Sequence, residues 1–130
     1  MPDPVAKKKK RPLWYNVSPL NLPLPGFVSI LHRVSGVFLF LGLVWFLFLL
    51  DMSLASETGF ARFRGYVAHP VVKLAMLGFL WAYLHHLCAG VRHLFLDLDK
   101  GVELRAARRS AVAVLLAGLA LTALIGGLLW

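Results

Sequence analysis

The sequence predicts an all-α integral membrane protein with three transmembrane helices, and two observations carry this prediction. Of the 130 residues, 59% are hydrophobic, which exceeds the usual share in a soluble domain. Three segments, at about residues 26–51, 69–97 and 109–130, reach the roughly 20 apolar residues that a helix needs to cross a hydrocarbon core of about 30 Å. We therefore expect one transmembrane domain over residues 26–130.

The segment of residues 1–25 is basic and proline-rich, and it lacks the apolar core of a signal peptide. Its cations run from Lys7 to Arg11. A second cationic group lies between the second and third predicted helices: Lys100, Arg105, Arg108 and Arg109. Three spans place both groups on one side of the membrane, which the positive-inside rule makes the cytoplasm. We expect a cytoplasmic N-terminus, a periplasmic C-terminus, a multi-pass protein of a bacterial inner membrane, and no nucleic-acid partner.

The first predicted helix carries its polar residues at the cytoplasmic end. Ser29 and Arg33 are four residues apart and share one face, while His32 lies on a neighbouring face. A hydroxyl and a guanidinium on one face can bind a carbonyl or a carboxylate. The same residues can equally be interfacial anchors, with the charged tip of Arg33 among lipid headgroups. The spacing leaves both interpretations open.

The second predicted helix is unusual because it holds several ionisable residues among apolar ones. Such residues are costly in a bilayer and usually face a bundle interior, a partner or a cofactor. His86, Gly90 and His93 fall near one face, and the glycine leaves room for a flat macrocycle. An imidazole is a known axial ligand of haem iron, so His86, the deeper histidine, is the candidate ligand. Alternatively, these histidines only form hydrogen bonds between helices, which we expect for His85, about 100° away from His86.

Antiparallel pairing of the first two helices brings four cationic or titratable residues to the cytoplasmic end, where they can neutralise haem propionates: His32, Arg33, Arg92 and His93. The linker between these helices contains a segment, residues 59–66, that predicts a short interfacial helix. The third helix has small residues that favour close helix packing, and we expect it to be structural. Cys88 has no cysteine partner in the chain, which excludes an intrachain disulfide.

Two motifs on two helices carry a family resemblance. The first is Arg-Pro at residues 11–12, followed by Ser-Ile-Leu-His-Arg-Val-Ser-Gly at residues 29–36. The second is His-x-x-x-Gly-Val-Arg-His-Leu at residues 86–94, and an aspartate, Asp97, follows it three residues later. With these motifs the chain resembles the cytochrome b-type membrane-anchor subunit of succinate dehydrogenase from Arg11 onwards.

The resemblance implies a b-type haem whose iron is bound by His86 and by a histidine of a second membrane anchor subunit. It also implies that His32 and Arg33 lie near the haem propionates, and that Ser29 and Arg33 help bind ubiquinone. Leu96 and Asp99 depart from the family pattern, in which an aromatic residue or methionine and a small residue are usual.

The partners implied are an iron-sulfur subunit and a flavoprotein subunit, which oxidises succinate in the citric acid cycle and sends electrons to quinone in the respiratory chain. The chain has no flavin fingerprint and no cysteine set for an iron-sulfur cluster, so we expect it to be non-catalytic alone. The alternatives are a haem-free quinone-binding anchor of a fumarate reductase-like complex and a purely structural assembly subunit. A small transporter is disfavoured, since the sequence shows no inverted repeat.

Overall fold

The computed structural model describes residues 22–130, which form four helices: α1 (Leu24–Ala55), α2 (Glu57–Ala68), α3 (Pro70–Asp97) and α4 (Leu104–Leu129). By length and composition, α1, α3 and α4 are able to cross a membrane, which confirms the three predicted spans. Nearly all of the basic segment 1–25 lies outside the described residues, so its cytoplasmic location stays a prediction.

The turn after α1 produces the short helix that the linker predicted. At Ser56 the backbone is extended, which ends α1 and begins α2. The Ser56 hydroxyl accepts a hydrogen bond from the Gly59 amide at 3.0 Å, as an N-terminal cap does. α2 has no buried residue, as befits a helix that lies on the bundle rather than inside it.

Two helix boundaries differ from those expected. α1 ends at Ala55 instead of about residue 51, because the first residue with an extended backbone is Ser56. α4 begins at Leu104 instead of about residue 109, because the alanines and arginines that precede the apolar segment are themselves strong helix formers. The turn between α3 and α4 uses Asp99 and Gly101, whose φ angles are 56° and 77°.

The three long helices pack through small residues. Gly42 of α1 lies directly under the Phe79 ring of α3, and any Cβ there would collide with that ring. Gly118 of α4 lies against the backbone of His85, where an added Cβ would come within 3.5 Å of its Cα. Outside these contacts, large apolar side chains are exposed along all three helices, which suits lipid or a partner subunit.

Candidate functional site

The side chain of His86 is held in one orientation by α1. Its Nδ1 lies 3.0 Å from the main-chain oxygen of His32 and 3.1 Å from the Ser35 hydroxyl. Ser35 itself donates to the His32 oxygen at 2.8 Å. A carbonyl oxygen can only accept, so Nδ1 of His86 carries the proton. In the neutral imidazole, Nε2 is then the nitrogen that carries the lone pair, and a neutral imidazole nitrogen of this kind can bind a metal.

Three imidazoles group at this end of the α1–α3 pair, and we call His32, His86 and His93 the imidazole cluster. The His32 ring stacks on the His86 ring with centroids 4.1 Å apart and planes 14° apart. The His93 ring centroid is 5.0 Å from that of His32. Within residues 22–130 no group of three histidine, cysteine or acidic residues converges on one metal position.

Two glycines make room for these rings. A Cβ on Gly36 would lie 2.9 Å from Cε1 of His86, closer than real Cβ contacts. A Cβ on Gly90 would lie 3.4 Å from Nε2 of His32, at the limit of ordinary contact. Gly90 therefore faces the imidazole cluster, as its spacing from His86 and His93 predicted.

His85 faces α4 and not α1, which agrees with the angle of about 100° from His86 that its position on the helix predicted. It is completely buried against α4, beside Gly118, and its ring stacks on Trp81 with centroids 5.5 Å apart. Neither ring nitrogen has a hydrogen-bond partner among the described residues. The prediction that His85 forms a hydrogen bond between helices is therefore wrong for this part of the chain, and its contacts are those of a packing residue.

Arg92 is not brought together with the imidazole cluster. It is 6% exposed and turns towards α4, where Nε donates to the Ser110 hydroxyl at 2.9 Å and Nη2 donates to the Ala107 oxygen at 3.4 Å. Its assignment to the haem propionates stays a prediction, and these bonds instead join α3 to α4.

Ser29 and Arg33, the two residues predicted to bind quinone, lie at the end of α1 that also carries His32. Ser29 is half-buried and Arg33 is exposed, one helical turn apart, so the guanidinium is free to meet a ligand or a partner. Cys88, on α3, is half-buried with a free thiol.

The structure adds three groups whose roles the sequence did not assign, namely the Ser35 hydroxyl, the His32 main-chain oxygen and Gly36. Two of these residues, Ser35 and Gly36, stand in the first motif shortly after His32 and Arg33. Their presence in that motif was the available signal, since a small hydroxyl residue followed by glycine is typical of a close helix crossing.

Comparison with known proteins shows the family of this chain. The family model described as the succinate dehydrogenase/fumarate reductase transmembrane subunit matches residues 7–125. The succinate dehydrogenase cytochrome b556 subunit of Paracoccus denitrificans is 32% identical over 119 residues, 92% of each chain. That of Coxiella burnetii is 34% identical over 122 residues, which is 93% of this chain and 98% of the relative. The chain therefore belongs to the family of succinate dehydrogenase/fumarate reductase transmembrane subunits.

Proposed function

We propose that this chain is the haem-bearing, quinone-handling membrane anchor of a succinate dehydrogenase complex. The observation that carries the proposal is the hydrogen bond from Nδ1 of His86 to the His32 main-chain oxygen. Ligating histidines almost always donate their second ring nitrogen in this way, which fixes the tautomer and increases the basicity of the ligating nitrogen. The relatives named cytochrome b556 subunits supply the haem type.

The residues present fit a b-type haem. His86 would offer Nε2 to the iron, and a histidine of a second anchor subunit would be the other protein ligand. His32, Arg33 and His93, at the same end of the helices, would meet the propionates with positive charge and N–H donors. When bound, the haem supplies a one-electron redox centre inside the membrane. The part of this chain is to fix the ligand's orientation through Ser35 and the His32 carbonyl.

Ser29 and Arg33 would form this chain's part of a ubiquinone site. A guanidinium stays protonated throughout the reaction, so Arg33 would stabilise the negative charge that develops on a quinone oxygen during reduction. The Ser29 hydroxyl would donate a hydrogen bond to a quinone carbonyl. The exposure of Arg33 supports this role, because a quinone needs access from the membrane or from a partner subunit.

The complex would also contain an iron-sulfur subunit and a flavoprotein subunit, which oxidises succinate. The cationic residues of the α3–α4 turn favour a cytoplasmic position for that turn, with the end of α4 in the periplasm. In that orientation Ser29 and Arg33 lie at the cytoplasmic side, where the iron-sulfur subunit would deliver electrons from the flavoprotein. The inner membrane of a bacterium is the setting that the bacterial relatives suggest.

The haem assignment is tested by reduced-minus-oxidised optical spectra of the complex purified with its partners. His86→Ala should lose or shift the b-type signal, because it removes the ligating nitrogen. His85→Leu is the matched control: it replaces a buried imidazole that has no hydrogen-bond partner among the described residues by an apolar side chain of similar size. A wild-type complex without haem would leave a haem-free quinone anchor, and loss of the signal only in His85→Leu would overturn the ligand assignment.

The quinone assignment is tested by Arg33→Leu, measured as succinate-dependent quinone reduction. Activity should fall by at least about tenfold while the complex still assembles, since the lost charge acts on the reacting oxygen. Arg62→Leu, which removes the same charge from the exposed surface of α2, should keep wild-type activity. Equal activity in both variants would contradict the proposed role of Arg33.

A further inference from the structure

A cavity of about 460 Å³ lies between α3 and α4, on the side of α3 that turns away from the imidazole cluster. Part of its lining is apolar and includes Val91, Ala113 and Val114. Two cationic residues, Arg92 and Lys100, also line it, and the apolar residues Phe95 and Leu96 lie between them in the sequence. The cavity therefore combines a mainly apolar lining with two positively charged side chains.

The charge of Arg92 is not neutralised by the groups that hold it. The side chain is 6% exposed, and its two hydrogen bonds go to a hydroxyl and to a peptide oxygen, both uncharged. Those bonds also leave N–H donors of the guanidinium unused. A buried charge in a membrane protein is costly without a counter-charge, and it indicates a functional site whose partner should be anionic.

We propose that this cavity binds an anionic phospholipid, whose phosphate group contacts Arg92 and Lys100 while an acyl chain lies on the apolar part. Basic pockets between transmembrane helices at the membrane surface are suited to such headgroups. A neutral quinone would leave the guanidinium uncompensated, and a zwitterionic lipid would bring a cation of its own to a site that already holds two.

This lipid site gives Arg92 a different role from the haem-propionate contact that the sequence predicted, but it depends neither on His86 nor on the quinone proposal. It uses the face of α3 that turns towards α4, whereas the imidazole cluster uses the face that turns towards α1. Failure of the lipid proposal would therefore leave the haem assignment unaffected, and a variant of the lipid site should keep the optical spectrum of the complex.

The test is native mass spectrometry of the complex purified with its partners, delipidated in detergent and titrated with phosphatidylglycerol, phosphatidylcholine or inorganic phosphate. We expect phosphatidylglycerol to bind at least about tenfold more tightly than phosphatidylcholine, with inorganic phosphate failing to compete at equal concentration. Lys100→Gln should weaken phosphatidylglycerol binding about fivefold, the usual effect of one basic residue near an anionic headgroup. Lys73→Gln, the same change at the opposite end of α3, should have no effect.

A second variant tests the shape of the cavity without removing charge. Ala113→Trp fills the space beside Val114 and should abolish the preference for phosphatidylglycerol. Ala120→Trp, the matched control, places the same ring on an exposed position of α4 outside the cavity lining. Equal binding of both lipids by the wild type, unchanged phosphatidylglycerol binding in Ala113→Trp, or competition by inorganic phosphate would each overturn the proposal.

Discussion

The substitution Gly36→Ala tests the link between helix packing and haem binding. The new Cβ would lie 2.9 Å from Cε1 of His86, whereas ordinary contacts begin at 3.4 Å, so the imidazole must retreat by the difference of 0.5 Å. Its freedom to do so is small. The 3.0 Å hydrogen bond to the His32 oxygen holds one edge of the ring, and the His32 ring, with its centroid 4.1 Å away, occupies one face.

The magnitude follows from these contacts. Forcing one extra methyl into a packed interface costs about 1–3 kcal/mol. Stretching or losing the Nδ1 hydrogen bond adds about 1 kcal/mol. We therefore expect Gly36→Ala to destabilise the arrangement that presents Nε2 of His86 by about 2 kcal/mol or more, which is at least a tenfold loss of haem affinity.

The assay is haem content per assembled complex, read from the reduced-minus-oxidised spectrum, together with the thermal stability of the complex in detergent. Gly78→Ala is the matched control, since nothing lies within 4 Å of a Cβ at that position of α3. Normal haem content and stability in Gly36→Ala, equal to those of Gly78→Ala, would refute the argument that the glycine is needed for the His86 ring.

Two further predictions concern the bundle. Gly42→Ala should destabilise the protein by about 1–3 kcal/mol, because the added methyl group would displace the Phe79 ring. The free energy of unfolding in mixed micelles measures this effect. Gly127→Ala is the control, since a Cβ at that position has no neighbour within 4 Å. Ser56→Ala should cost about 1 kcal/mol locally, because it removes the cap on the Gly59 amide. Faster hydrogen exchange confined to the first turn of α2 is the expected result, and unchanged exchange there would contradict the capping role.

The three spans were predictable because hydrophobic length alone distinguishes a transmembrane helix from a soluble one. The helix boundaries were less so. Hydropathy marks where the bilayer begins, but α4 already begins at Leu104, in residues that are charged and yet helix-forming. The turn at Ser56 illustrates the opposite case, since the aromatic and basic segment that follows it predicted α2 in the right place.

In the site, positions on a single helix were predictable, whereas contacts between helices were not. The spacing along α3 separated His86 from His85, and in the structure His86 contacts α1 whereas His85 contacts α4. The hydrogen bond from His86 to the His32 oxygen depends on how far α1 is shifted along α3, which no pattern within one helix specifies. The turn of Arg92 towards Ser110 depends in the same way on the position of α4.

The acceptor that orients His86 is a peptide oxygen. The tautomer of His86 and the electrostatic surroundings of its ring can therefore change independently of each other. Any amino acid at position 32 presents the same oxygen, as long as the helix persists, so replacing the His32 side chain removes a ring and a donor but keeps the Nδ1 bond of His86. Natural variation or design at position 32 can therefore adjust the electrostatic surroundings of the ligand without disturbing its tautomer. The backbone of α1 thus supplies the acceptor that fixes the His86 tautomer, and the side chain at position 32 changes only what surrounds the ring.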